Sequence, residues 1–249
     1  MADSIIVQIS NLSKSFGSFN VLQDINIDIK QGENLVVFGR SGTGKSVLLK
    51  CIVGLLKPDE GTIKINDKAI NKIPLKELNE VRKKLGFLFQ GAALYDSMSV
   101  RENLQFPLKR HFDMTQKELD DKTISTLELV SLADSVDKMP SDLSGGMRKR
   151  IGLARSIITD PELMLYDEPT TGLDPISSKE ISELIMSLQK KLSMTSIVVT
   201  HDLICAKIIA DRVIFLRDGH IAHEGTIEEL TGSSDPFLQN FFSQEIIKE

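Results

Sequence analysis

Asn34-Leu-Val-Val-Phe38 runs directly into Gly39-Arg40-Ser41-Gly42-Thr43-Gly44-Lys45-Ser46, and an apolar stretch from Val47 to Gly54 follows. The first segment has the form of a central strand covered on both faces. The middle segment fits the glycine-rich loop G-x-x-x-x-G-K-[ST], and the last reads as a helix. Glycines let successive backbone N–H groups curl around phosphate oxygens, and the following helix N-terminus adds a favourable dipole. In that setting Lys45 is placed to bridge the β- and γ-phosphates of a nucleotide, and the Ser46 hydroxyl to ligate magnesium.

Working outward, two further short apolar runs repeat the buried-strand pattern, Leu163-Met-Leu-Tyr166 and Ser196-Ile-Val-Val199. Between them Ile181, Leu184, Ile185 and Leu188 keep helical spacing within Ser177 to Leu192. Alternation of this kind predicts a parallel α/β sheet. Near the start, Ile25, Ile27 and Ile29 alternate with polar residues, as in a strand with one buried face. The region from Ser99 to Ile158 reads as mainly helical, with helices at Gln116 to Leu129 and Gly146 to Ile158, and thus as a helical subdomain inserted in the α/β core. From Thr226 onward the capping-box pattern Thr226-Ile-Glu-Glu229 predicts one or two small peripheral helices.

The run ending at Tyr166 delivers two carboxylates, Asp167 and Glu168. Beside a phosphate loop, Asp167 suits a magnesium shell and Glu168 is placed to polarise a water attacking the γ-phosphate.

Composition narrows the partners. The 249 residues are 41% hydrophobic, and 30 Lys plus Arg against 35 Asp plus Glu leave a net charge of −5, with no basic excess for a nucleic-acid backbone. Cys51 and Cys205 lack disulfide or zinc-ligand spacing and read as buried thiols. No run approaches the roughly 18 apolar residues that span a bilayer, so a cytosolic chain is expected, with any pore supplied by another polypeptide.

The order of the remaining motifs resembles the ABC ATPases. After the phosphate loop come Gln90, Leu143-Ser144-Gly145-Gly146, Asp167-Glu168, Gly172-Leu-Asp174-Pro175 and Thr200-His201-Asp202. The resemblance covers residues 5–232 and leaves 233–249 as a short tail. It implies a P-loop NTPase (RecA-like) α/β core with an N-terminal antiparallel β-subdomain and a helical subdomain inserted at about residues 91–158. It also implies ATP and Mg2+ as ligands. Gln90 would then contact magnesium and the attacking water, His201 the γ-phosphate, and Asp174 the nucleotide site. Ser144, Gly145 and Gly146 would close the nucleotide site of a second copy, giving a homodimer with two composite sites. Two departures stand out. The adenine-stacking aromatic falls on Phe16, with Phe19 as a rival, and the usual glutamine after Leu-Ser-Gly-Gly is Met147.

Within the family, Phe89-Gln-Gly-Ala-Ala-Leu-Tyr-Asp-Ser-Met-Ser99, Leu143-Ser-Gly-Gly-Met-Arg-Lys-Arg150 and Asp235-Pro-Phe237 are similar to ATPases of the Mla and Mce type. That resemblance implies transport of phospholipid or other lipids, integral membrane permease subunits, an MCE lipid-binding protein, and a peripheral position on the cytoplasmic face of an inner membrane. An importer subunit for a polar solute such as an amino acid shares the same catalytic motifs. A non-transport ABC protein of translation or DNA repair fits less well, because such members fuse two ATPase units or carry long coiled coils. The segment after Gln90 is expected to receive a permease helix, with Tyr95 and Met98 as the contacting residues.

Overall fold

The computed structural model describes residues 4–246. The chain opens with two long strands, β1 (Ile5–Phe16) and β2 (Phe19–Lys30), followed by β3 (Asn34–Phe38) and α1 (Lys45–Ile52). Next come β4 (Glu60–Ile65), β5 (Lys68–Ala69), α2 (Leu75–Arg82) and β6 (Leu85–Leu88). The insertion contributes α3 (Val100–His111), α4 (Gln116–Leu129) and α5 (Gly145–Ile157). The second half of the core supplies β7 (Leu163–Asp167), α6 (Pro175–Leu192), β8 (Thr195–Val199), α7 (Leu203–Ile209), β9 (Arg212–Arg217) and β10 (His220–Gly225). Two helices follow, α8 (Ile227–Thr231) and α9 (Pro236–Ile246).

Six strands form the central sheet in the order β10-β9-β3-β8-β7-β6. All its pairings are parallel except that of β10, which runs antiparallel along the β9 edge. Every residue of β3, β7 and β8 is buried, which explains why these segments read as unbroken apolar runs. A separate antiparallel sheet, β2-β1-β4-β5, is the expected β-subdomain. Its inward residues, among them Ile25, Ile27 and Ile29, pack with Leu35 and Val37 in one core. The alternate residues of β3, Val36 and Phe38, face a second core shared with the helical insertion, α6 and the C-terminal helices. One five-residue strand therefore divides the two cores.

Helix starts follow their side-chain signals. Thr226 and Glu229 form the predicted capping box, with Glu229 N–H donating to Thr226 Oγ1 at 3.2 Å. Asp174 caps α6 through the amides of Ile176 and Ser177, which starts that helix at Pro175, before the predicted Ser177.

The stretch beyond Thr226 differs from the expected peripheral helices. In α9 the buried Leu238, Phe241 and Phe242 belong to the central core. Phe241 and Phe242 meet Phe38 edge-on at centroid distances of 5.9 and 5.8 Å, and Phe241 meets Phe215 at 4.7 Å. The i, i+4 spacing of Phe237 and Phe241 forms an apolar stripe, and stripes of that kind seek burial. Residues 247–249 of the segment read as a tail lie outside the described residues.

Phe241→Ala is expected to lower stability by about 3–5 kcal/mol, measured by urea unfolding. Phe19→Ala, at a ring that is 65% exposed, should change it by less than about 0.5 kcal/mol.

Candidate functional site

The parallel register sets the site. Val37 of β3 pairs with Val199 of β8, and Val199 pairs in turn with Asp167 of β7. The carboxyl ends of three strands thus lie side by side, where ligands bind in open parallel sheets. Each strand then releases its motif at the same edge: the glycine loop after Phe38, Glu168 after Asp167, and His201 after Thr200. Two backbone bonds fasten this edge, Glu168 N–H to Val199 O at 2.9 Å and Thr200 N–H to Val37 O at 3.3 Å.

In the loop, Gly44 has φ +97°, and a Cβ there would lie 2.8 Å from the carbonyl oxygen of Val21, so only glycine fits. The turn delivers Lys45 to the first position of α1. Its ammonium is buried and donates to the carbonyls of Gly39 and Arg40 at 2.7 and 3.1 Å. It also lies 3.7 Å from the Glu168 carboxylate. Burial pulls the Lys45 pKa down, partly offset by the charges of Glu168 and Asp167. One residue on, Ser46 Oγ donates to Asp167 Oδ1 at 2.8 Å.

Glu168 occupies the left-handed region at φ +52°. Such a conformation costs about 1–3 kcal/mol for a residue with a Cβ and persists only where its surroundings fix it. Here they do: Glu168 Oε2 lies 2.8 Å from His201 Nδ1 and accepts from Thr171 Oγ1 at 3.3 Å. Burial pushes its pKa up, but the His201 hydrogen bond and charge and the Lys45 charge together outweigh burial and hold the carboxyl below its ordinary range.

These groups line a cavity of about 670 Å³. Of the residues singled out in the sequence, Phe16, Gly39, Arg40, Ser41, Gly42, Gly44, Lys45, Ser46, Gln90, Glu168 and His201 border it. Asp167 stands just behind, bonded to Ser46. Thr43 belongs to the loop, but its hydroxyl turns back to the Arg40 carbonyl at 2.9 Å. Phe16, half exposed with the Lys14 ammonium 5.4 Å from its ring centroid, borders the cavity, and its rival Phe19 does not.

Besides Asp167 and Thr43, four further expected site residues lie outside this cavity. Ser144 caps α5 by accepting from Met147 N–H at 3.3 Å, and Gly145 and Gly146 form the first turn of that helix. Asp174 spends its carboxylate on the α6 N-terminus. None of the four is among the residues that border the cavity around the phosphate loop.

Other residues at the site were not singled out. Thr171 and Phe241 line the cavity, and the buried Lys149 of α5 donates to the backbone carbonyl of Gln90. A signal for Lys149 existed: it falls on the same helical stripe as the buried Leu153 and Ile157.

A second cavity, of about 430 Å³, lies where the insertion meets the core and is walled by Phe87, Phe89, Tyr95, Phe106 and Arg155. Tyr95 is in this wall, whereas Met98 is half-buried and does not border the groove. The Asn103 side chain folds the segment, donating to the carbonyls of Tyr95, Met98 and Ser99, and so fixes which residue faces outward.

Comparisons with known proteins agree with this geometry. Residues 22–171 match the family model described as ABC transporter. The Mycobacterium leprae protein named "Probable ribonucleotide transport ATP-binding protein mkl" is 40% identical over 243 residues, which is 98% of this chain and 70% of the relative. The intermembrane phospholipid transport system ATP-binding protein MlaF of Haemophilus influenzae is 38% identical over 240 residues, covering 96% of this chain and 91% of MlaF. A dimeric ATP-binding cassette solved in a post-hydrolysis state with ADP and Pi superposes with a TM-score of 0.81 at 32% identity, over 89% of this chain and 98% of that one. Matched through its phosphate loop and carboxylate pair and aligned almost end to end with such relatives, the chain belongs to the ABC transporter family, as an ATP-hydrolysing subunit.

Proposed function

We propose that this chain powers the movement of phospholipid or another lipid between envelope membranes, working as a homodimer beneath integral membrane permease subunits and alongside an MCE lipid-binding protein. The observation that carries the catalytic part is the convergence of Lys45, Ser46, Asp167, Glu168 and His201 at the ends of three parallel strands. The lipid assignment is supported by similarity to MlaF over nearly the whole of both chains. The chain's own described helices include none long and apolar enough to cross a membrane, so a peripheral seat on the cytoplasmic face of an inner membrane fits this role.

In the proposed reaction, ATP stacks its adenine on Phe16 and places its phosphates in the loop from Gly39 to Ser46. Lys45 leaves the carbonyls of Gly39 and Arg40 for the β- and γ-phosphates. That movement takes a cation away from Glu168. As His201 turns to the γ-phosphate, Glu168 becomes a stronger base, free to accept the proton of an attacking water aligned by Gln90. Ser46 Oγ and Asp167 Oδ1 are hard oxygen donors side by side, and Gln90 lines the same cavity. Such a set suits Mg2+, which takes one or two carboxylates and fills its shell from phosphate and water. Magnesium, when bound, neutralises charge developing on the phosphate oxygens. The outward position of Ser144, Gly145 and Gly146, together with Asp174, suits closure of a second copy's site across a two-fold axis.

A second reading, import of a polar solute, draws on the polar cargo in the mycobacterial relative's name, ribonucleotide, and on similarity to the methionine import ATP-binding protein MetN of Clostridium tetani, 35% identical over 240 residues. Lipid analysis of the complex purified through a tag on this chain separates the two. Co-purified phospholipid whose transfer between vesicles requires ATP supports the first, and ATP-driven uptake of a nucleotide or amino acid without lipid transfer supports the second.

Lys45→Ala is expected to abolish productive ATP binding, read by titration with a fluorescent ATP analogue. Glu168→Gln should still bind ATP while turnover falls about 10²- to 10⁴-fold, and it should accumulate as an ATP-bound dimer by light scattering. A cysteine at Tyr95 should crosslink to a permease segment in membranes, while one at Met98 should crosslink poorly.

A further inference from the structure

Lysine is almost never buried without a partner, because taking an ammonium out of water is costly unless its donors are satisfied. Lys149 is 7% exposed. Among the described residues its hydrogen-bond acceptors are two main-chain carbonyls, that of Gln90 and that of Glu168, the latter at 3.4 Å. Gln90 and Glu168 both border the nucleotide cavity, yet they reach it from different strands, β6 and β7. An apolar side chain would fill the same space without the desolvation penalty, so packing alone does not call for a cation here.

We infer that Lys149 is a positioning residue for ATP hydrolysis: by bonding both carbonyls it fixes the backbone of Gln90 relative to that of Glu168, and so holds the water-orienting amide and the base in register. The inference rests on the catalytic roles proposed for those two residues. Glu168 lies in the left-handed region, and a carbonyl bond from Lys149 is one of the contacts that keeps it there. Six residues further along α5, Arg155 donates to the carbonyls of Ala92 and Ala93 at 3.1 and 2.7 Å, at a turn where both alanines have positive φ. The loop that carries Gln90 therefore hangs from α5 by two cations. The first of them is also bonded to the residue that accepts the proton. Because α5 begins at Gly145, the same helix joins this tether to the segment proposed to close the second copy's site.

The test uses the complex purified through a tag on this chain, with Lys149→Met, Lys149→Gln and Lys149→Arg made in the wild-type and Glu168→Gln backgrounds. Turnover, KM, affinity for a fluorescent ATP analogue and thermal unfolding are measured for each. For Lys149→Met, kcat should fall about 10- to 100-fold while ATP affinity stays within about twofold. Lys149→Arg, which keeps a charged donor, should recover part of the loss, and Lys149→Gln should fall between. In the Glu168→Gln background Lys149→Met should remove little further activity, since the group it positions is already disabled. Wild-type kcat in Lys149→Met overturns the inference. So does a loss that appears wholly as weaker ATP binding, or one that adds fully to Glu168→Gln. Should Lys149→Met fail to fold, Lys149→Gln decides on the same criteria. Wild-type turnover in Glu168→Gln alone overturns the catalytic reading instead, a result separable from every outcome at Lys149.

Discussion

The structure depends on the parallel register that sets Val37, Val199 and Asp167 in one row across β3, β8 and β7. Side chains alternate along a strand, so a slip of one residue would turn Val37 from the core beneath the β-subdomain into the core beneath the helical insertion. It would also shift the glycine loop relative to Asp167 by the rise of one residue, about 3.3 Å. That displacement exceeds the 2.8 Å bond between Ser46 and Asp167. The burial of all fifteen residues in these three strands makes such a slip prohibitive, and the site inherits its accuracy from the core.

Around Glu168 the chain concentrates unfavourable terms that cancel only in combination. The residue has a left-handed backbone, a largely desolvated carboxylate, and two buried lysines close by. Each alone is destabilising. Lys45 and His201 compensate the carboxylate's charge, and the main-chain carbonyls of the surrounding loops compensate the lysines. This arrangement holds the lysine donors in bonds to carbonyls that phosphate oxygens are chemically able to replace.

Much of this was legible in the sequence because the signals are local. The strand, glycine loop and helix from Asn34 to Gly54 state their own geometry, and the run ending in Asp167-Glu168 states its polar end. What escaped was set by contacts distant in sequence. Phe241 and Lys149 read as ordinary residues of amphipathic helices, and only the packed fold brings one to the nucleotide cavity and the other to the carbonyls of Gln90 and Glu168. Met98 stands apart from the groove for a related reason: the Asn103 side chain, buried behind the loop, holds the carbonyls of Tyr95 and Met98 and so sets how that segment turns. For Asp174 the local cap was readable, and its use at the α6 terminus explains its position better than the cavity of its own copy does.

The aromatic contact between α9 and Phe38 also bears on the order of events during synthesis. Phe38 precedes the phosphate loop, whereas Phe241 follows every strand of the central sheet. Each residue that touches Phe38 from α9 must therefore wait until the whole sheet has left the ribosome, and a contact of such sequence separation closes late. Until then Phe38 lacks its two α9 partners and keeps the stacked Phe215 of β9, at a centroid distance of 6.4 Å. Phe241 also borders the nucleotide cavity, so a nascent chain whose strands are complete still lacks one side chain of the cavity wall.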